Sequence, residues 1–169
     1  FETFEDVKTL VISDESTLEI RADSQSQTGE EFLAEGNAEA ERQSDMFKAD
    51  KIKYYTDTIN VSASGNVGYF NQEISGYSES AKYPGMNSEI SFSKAKYFRS
   101  KNSGSGLSEK IIVKKNKDIH LEDATYTACN INDPDWELTS TSTKLFDKDE
   151  RGHSYNMFLK YKNIPIFSS

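Results

Sequence analysis

Ile59-Asn60-Val61-Ser62-Ala63-Ser64-Gly65-Asn66-Val67-Gly68-Tyr69 decides how this chain is read. Apolar and polar residues alternate up to Ala63, and Val67 and Tyr69 carry the pattern past Gly65. A period of two puts one set of side chains on a covered sheet face and the other in water. The stretch has a counterpart: Ala34-Glu35-Gly36-Asn37 matches Ala63-Ser64-Gly65-Asn66, and Gly36 and Gly65 stand 29 residues apart. Tyrosines keep that interval, from Tyr54 to Tyr83 and from Tyr97 to Tyr126. A fixed period in this range marks stacked supersecondary units, none able to bury its apolar face alone. The unit reads as a pair of antiparallel strands. A glycine at the same point of each predicts a bulge or sharp twist where a Cβ would be crowded.

The same texture extends both ways. Leu18, Ile20 and Ala22 alternate with Glu19, Arg21 and Asp23, and the polar run 24–30, with Thr28-Gly29, reads as a turn. Phe32, Ala34, Ala38 and Ala40 alternate with Glu31, Glu35, Glu39 and Glu41. So much alanine and glutamate suits a helix, but Gly36-Asn37 at the midpoint would cost it about 1 kcal/mol or more, so a strand is expected. Between Ala49 and Ile52 the inward parity shifts, predicting a second bulge. Further strands centre on Ile74, Ala81-Lys82-Tyr83, Ile90-Ser91-Phe92, Lys96-Tyr97-Phe98, Ile111-Ile112-Val113 and Ile119-His120-Leu121. Tyr83-Pro84-Gly85-Met86-Asn87 and the stretch 100–106 are turn signals. Trp136-Glu137-Leu138, a charged hairpin loop over 147–152, Met157-Phe158-Leu159 and Ile164-Pro165-Ile166-Phe167 complete the chain.

Three segments are expected: an N-terminal extension over 1–16, a β unit over 17–163, and a truncated lead-in to a further structure over 164–169. Within the extension, a tail or an added strand, Phe4, Val7, Leu10 and Val11 are the candidates for burial. Phe1 in place of an initiator reads as a mature or trimmed N-terminus.

Composition narrows the function. At 169 residues the chain is one domain by length. It is polar, with mean hydropathy −0.73, yet its 12% aromatic content argues against disorder. A formal charge of −8 argues against nucleic-acid binding. The basic stretch 110–117 is broken by Ile111-Ile112-Val113 and reads as a solvated strand edge. No apolar run approaches the roughly 18 residues of a membrane-spanning helix. His120 and His153 lack cysteine or acidic neighbours at metal-ligand spacing. No phosphate-cradling, dinucleotide or nucleophile motif is present, and Gly104-Ser105-Gly106 reads as a flexible turn. No metal, cofactor or catalytic residue is therefore expected. Glu19, Asp23, Glu35, Glu39, Glu73 and Glu89 fall mostly on the polar parity, as solvated faces rather than as an acid/base pair. Asn60-Val61-Ser62 is a glycosylation sequon only incidentally, inside a strand. Cys129, alone, reads as a buried free thiol or as half of a bond to a thiol outside this chain.

The apolar parity remains. Leu18, Ile20, Phe47, Ile59, Val61, Val67, Ile74, Ile90, Phe92, Ile111, Val113, Ile119 and Leu121 are expected to face inward. They can fill a sandwich core or leave an oily trough between two sheets. A trough would suit an acyl chain, since burying each CH₂ contributes about 0.8 kcal/mol. Parity alone leaves both open.

Specific residues point to a family. Ile20-Arg21-Ala22-Asp23, Ala34-Glu35-Gly36-Asn37-Ala38, Phe47-Lys48-Ala49-Asp50, Ala63-Ser64-Gly65-Asn66-Val67 and Glu122-Asp123-Ala124-Thr125-Tyr126-Thr127-Ala128-Cys129 form one series. With Asp135-Trp136-Glu137-Leu138 and Ile164-Pro165-Ile166-Phe167, that series resembles the periplasmic domain of the LptD family, also called the organic solvent tolerance family. The resemblance covers roughly residues 17–167. The AD and GN elements are shared with the periplasmic relatives LptA and LptC; the stretch from Tyr126 to Cys129, Trp136 and the Ile164–Phe167 motif are more specific.

The resemblance implies an all-β fold: an open, twisted, V-shaped β-jellyroll of two antiparallel sheets. It implies a non-enzymatic role in lipopolysaccharide transport on the periplasmic side of the Gram-negative outer membrane, with lipid A acyl chains in the trough. It implies partners: LptA by edge-to-edge strand addition, the protein's own C-terminal barrel, and LptE. Leu18, Glu19, Ile20, Arg21, Ala22 and Asp23 are the expected acceptor edge, because strand addition uses free main-chain groups. Cys129 takes the family position of a cysteine bonded to the barrel region, whereas the family's second, upstream cysteine has no counterpart here. A soluble LptA-like bridge and a carbohydrate-active β-repeat enzyme are the alternative functions.

Overall fold

The computed structural model describes residues 8–13, 16–72, 74–85, 89–100, 104–149 and 151–168, with side chains from Thr17 onward. Phe4, Val7, Glu73, Met86 and Asn87 lie outside the described residues, as do the side chains of Leu10 and Val11. All regular structure described is β: β1 (Lys8–Ser13), β2 (Ser16–Arg21), β3 (Ser24–Thr28), β4 (Glu31–Arg42), β5 (Asp45–Tyr55), β6 (Asn60–Phe70) and β7 (Ile74–Pro84). It continues with β8 (Ile90–Arg99), β9 (Ser105–Val113), β10 (Ile119–Tyr126), β11 (Trp136–Phe146), β12 (Arg151–Tyr155), β13 (Phe158–Tyr161) and β14 (Ile164–Ser168). Consecutive strands pair antiparallel into one 14-stranded meander, β3 lying beside β4 next to β2, and β12 beside β11 next to β13.

The repeat becomes a line of corners. Register breaks fall between Glu35 and Ala38 in β4, Lys48 and Lys51 in β5, and Ser64 and Val67 in β6. Asn37, Asn66, Lys94 and Asp123 adopt left-handed backbone with φ of 45°, 48°, 49° and 46°. The corners thus recur every 28 or 29 residues, also where the Gly-Asn pair is absent. Asn37 Nδ2 donates to Asp23 Oδ2 at 2.8 Å and Asn66 Nδ2 to Asp50 Oδ2 at 2.9 Å. At the next corner a Lys94–Glu79 ion pair at 3.3 Å takes that place. Gly65 precedes its asparagine at φ +75°, and a Cβ there would run into the Asp50 carboxylate. Gly65→Ala is expected to lose about 2–4 kcal/mol, combining backbone strain with overpacking. Urea unfolding measures it, and a loss under about 0.5 kcal/mol, typical of an indifferent surface site, would mean that the corner relaxes freely.

At the corners the sheet folds on itself into two layers. β2, the later halves of β4, β6, β8 and β10, and the earlier halves of β5, β7, β9 and β11 make the first layer. The complementary halves, with β3 and β12, make the second. Where the first layer leaves the corner, its innermost residues are Ala38, Ala49, Val67, Ser78, Ala95, Ser108 and Ala124, all buried and none larger than valine. Little side-chain volume fits there. Ser78 Oγ donates to Ser80 O at 3.2 Å, and Ser108 Oγ lies 2.8 Å from both Lys110 O and Glu122 O, which share its one proton, so neither buried hydroxyl is left unpaired. Farther out the inward residues are large: Leu18, Tyr69 and Tyr97 in one layer, Phe32, Tyr54 and Phe92 in the other. This gradient of size makes the interior a wedge, narrow at the corners.

The outer face is polar, as the parity required. Glu39–Lys48 at 2.8 Å, Glu35–Lys51 at 2.9 Å and Glu31–Lys53 at 3.8 Å pair across β4 and β5, and Glu89–Lys114 lie 3.4 Å apart. Exposed pairs of this kind add little stability each but oppose any reading of these acids as a catalytic pair.

Several expectations change. The run 24–30 is mostly strand β3, and Ser105-Gly106 opens β9 rather than closing a turn. Leu18 to Ile20 do not form a free edge, because β1 pairs with β2 there. Among the described residues the N-terminal edge is formed by β1 in the first layer and β3 in the second. β1 and β14 continue the sheet beyond the boundaries drawn at 16/17 and 163/164.

Candidate functional site

Three cavities lie in a row between the layers. The first, about 60 Å³, is walled by Leu18, Ala40, Arg42 and Phe47 from the first layer and by Ile52, Val61, Ala63, Ala81, Tyr83 and Ile90 from the second. The second, about 30 Å³, lies between Tyr69, Ile74 and Tyr97 on one side and Phe92, Ile111 and Val113 on the other. The third, about 230 Å³, is bounded by Tyr97, Arg99, Ala124, Leu138, Leu121 and Leu145, with the hydroxyl residues Thr139, Ser140, Thr143 and Ser154. The first two walls are almost wholly apolar; the third mixes alkyl and hydroxyl groups.

The trough expected from the sequence is divided, not continuous. Phe92 reaches from the second layer to Tyr69, ring centroids 5.3 Å apart, and to Phe47 at 6.4 Å. This cluster forms a neck between the first two cavities, and the space beyond it is only about 30 Å³. Tyr97 lines both the second and third cavities and partitions them. Its hydroxyl passes over β9 to donate to Thr125 O on β10 at 2.6 Å. Only a glycine in between permits this, since a Cβ at Gly106 would lie 2.6 Å from the Tyr97 hydroxyl.

Electrostatics follow from burial. Desolvation raises the Tyr97 phenol to about 12; Tyr126 adds to the shift and Arg99 opposes it. Desolvation raises Tyr69 too, reinforced by Asp45 and opposed by Asn71, which donates to the phenol oxygen at 2.8 Å, and by Arg42. Both phenols are neutral at ordinary pH, as their apolar surroundings require.

Every residue of the inward set lies in the core or packs against it. Leu18, Phe47, Val61 and Ile90 reach the first cavity, Ile74, Phe92, Ile111 and Val113 the second, and Leu121 the third. Ile20, Ile59, Val67 and Ile119 pack in or against the core without lining any of the three. Sequence reading missed Arg42 and Arg99, although their parity, two residues on from Ala40 and Tyr97, marks them as inward.

Cys129 is a half-buried free thiol whose backbone N–H donates to Thr127 Oγ1 at 3.0 Å. His120 Nε2 meets Ser142 Oγ at 2.9 Å, and His153 lies edge-on to Phe146. No metal-binding group of side chains occurs among the described residues.

Known proteins share this sequence and fold. The chain is 28% identical over 148 residues to the LPS-assembly protein LptD of a Polaromonas species, covering 80% of this chain and 17% of that protein. It is 29% identical over 143 residues to LptD of Paraburkholderia xenovorans, covering 84% and 18%. Against LptD of Aromatoleum aromaticum it is 28% identical over 162 residues, covering 88% and 21%. The chain therefore spans about a fifth or less of the length of these relatives. No family model matches it. The fold is similar to Pseudomonas aeruginosa LptH, the LptA-homologous periplasmic component of a lipopolysaccharide transport device. That likeness has a TM-score of 0.54 at 14% identity, over 62% of this chain and 81% of LptH. The sequence matches bear out the resemblance to the LptD periplasmic domain, and LptH bears out the all-β jellyroll.

Proposed function

We propose that this chain is the periplasmic lipid-conducting domain of an LptD-type protein, a non-enzymatic carrier of lipopolysaccharide. Acyl chains enter between the layers near β2 and leave near β11, while the sugar head stays in water. The observation that carries this reading is the row of cavities along the strand order from Leu18 to Leu145, the first two almost wholly apolar. Burying each CH₂ there contributes about 0.8 kcal/mol, enough in sum to hold a long chain but not to move it. Directional flow needs energy from elsewhere.

In this reading an LptA-like bridge adds its strand to the N-terminal edge. Among the described residues that edge is formed by β1 and β3. β13 and β14 lead toward the outer-membrane barrel with LptE, and Cys129 bonds to a cysteine of the barrel region. The coverage of LptH favours a second reading, a soluble bridge protein. Whether the parent gene continues for a barrel's length discriminates the two.

Photo-crosslinking in cells tests the conduit. A crosslinker at Val61 or Phe92 is expected to label lipopolysaccharide, and one at Glu39, on the outer face, is not. Equal labelling at all three positions, or labelling at none, removes the interior as the path.

A further inference from the structure

Two half-buried guanidinium groups on the walls of the passage form no ion pair among the described residues. Arg42 ends β4 on the wall of the first cavity, and Arg99 ends β8 on the wall of the third. Both are half-buried, and neither has a carboxylate within ion-pair distance among the described residues. By contrast, Arg21 pairs with Glu19 at 3.8 Å, and Lys48, Lys51 and Lys53 on the outer face all take glutamates. In a chain of formal charge −8, acids are abundant, yet even Asp45, opposite Arg42 in the β4–β5 register, makes no ion pair with it.

Each arginine therefore sets a positive group against an apolar wall. Its alkyl stem can lie along that wall while the planar fork meets an oxyanion bidentately, which a lysine cannot do. Arg42 and Arg99 each lie close enough to a buried phenol to oppose the upward shift on Tyr69 and Tyr97, against the larger opposite effects of Asp45 and Tyr126. Both arginines sit at strand ends away from the corners, four strand positions apart, a separation of about 19 Å along the sheet. The neck formed by Phe47, Tyr69 and Phe92 lies between them.

We propose that Arg42 and Arg99 are successive anion sites for the phosphate or carboxylate head of an amphiphile whose alkyl chain occupies the adjoining cavity. This rests on the conduit reading and adds to it a preference for charge. The head is held first at Arg42, and again at Arg99 once the chain has crossed the neck.

Titration calorimetry of the full chain at low salt tests it, using dodecyl phosphate below its micelle concentration. Dodecyl maltoside, with a neutral head, and inorganic phosphate form separate arms. Dodecyl phosphate is expected to bind about tenfold tighter than the maltoside, the margin of one or two charge-assisted hydrogen bonds. Arg42→Gln combined with Arg99→Gln should erase that margin while leaving maltoside binding in place. Arg151→Gln, on the exposed strand β12, should leave the margin intact. The proposal is overturned if the double variant keeps its preference, if Arg151→Gln loses it equally, or if inorganic phosphate binds as tightly as dodecyl phosphate. Equal binding of both surfactants to the unaltered chain sinks the arginine sites alone; binding of neither sinks the conduit reading as well.

Discussion

Replacing Gly106 by valine is expected to destabilise the protein by about 3–5 kcal/mol, summing overpacking and the loss of a buried hydrogen bond. The new Cβ would collide with Thr125 O and lie 2.6 Å from the Tyr97 hydroxyl, where nothing else can yield without moving β10. The Tyr97 hydroxyl would then lose its acceptor while the ring stays 4% exposed. A double-mutant cycle separates the two effects. Tyr97→Phe alone should cost about 1–2 kcal/mol, and Gly106→Val should cost less in its presence than alone. Strict additivity by urea unfolding would show that the crossing contributes nothing. The same phenol gives a pH signature. Its folded value, about 12, lies above the ordinary value of 10.0, so the folded state holds the proton more tightly. The stability it supplies is fully present below pH 10 and is lost as pH rises toward 12, by about 2–3 kcal/mol. Tyr97→Phe should lose correspondingly less across that window.

Phe92→Ala is expected to have the second largest effect, and to pull two measurements in opposite directions. Removing a buried phenylalanine that touches Tyr69 and Phe47 should cost about 3–5 kcal/mol, lowering the melting temperature by about 10 °C. It also removes the ring that, among the described residues, reaches across from the second layer to Tyr69 and Phe47, joining the first cavity to the second. Binding of a fluorescent fatty-acid analogue should therefore strengthen even as the fold weakens. If both stability and binding fall, the neck is packing alone and not a barrier to a chain.

Much of this architecture was legible because parity and period are properties of single strands. The Gly36-Asn37 and Gly65-Asn66 pairs named two corners, and the parity slip between Ala49 and Ile52 named a third. The corners at Lys94 and Asp123 were not named, since no glycine marks them and their left-handed backbone leaves little trace in residue type. β3 was taken for a turn because Ser24 to Thr28 has no apolar face. An edge strand exposed on both faces needs none, because backbone hydrogen bonds to β4 suffice to hold it. Sequence leaves the weakly patterned segment before β2 open between a tail and an added strand, and the structure makes its 8–13 the strand that covers β2. The neck could not be read at all. Phe47, Tyr69 and Phe92 look like ordinary inward residues until the fold brings two layers into ring contact.

The row of small residues beside the corners has a consequence for evolution of the molecule's size. Each hairpin brings its own bend, its own alanine, valine or serine at the apex and its own share of oily wall, so cross-section and span are set independently. Inserting one more copy of the roughly 29-residue unit would lengthen the interior by two strand spacings, about 9.5 Å, with its width unchanged. The span of the interior can thus be tuned by counting units.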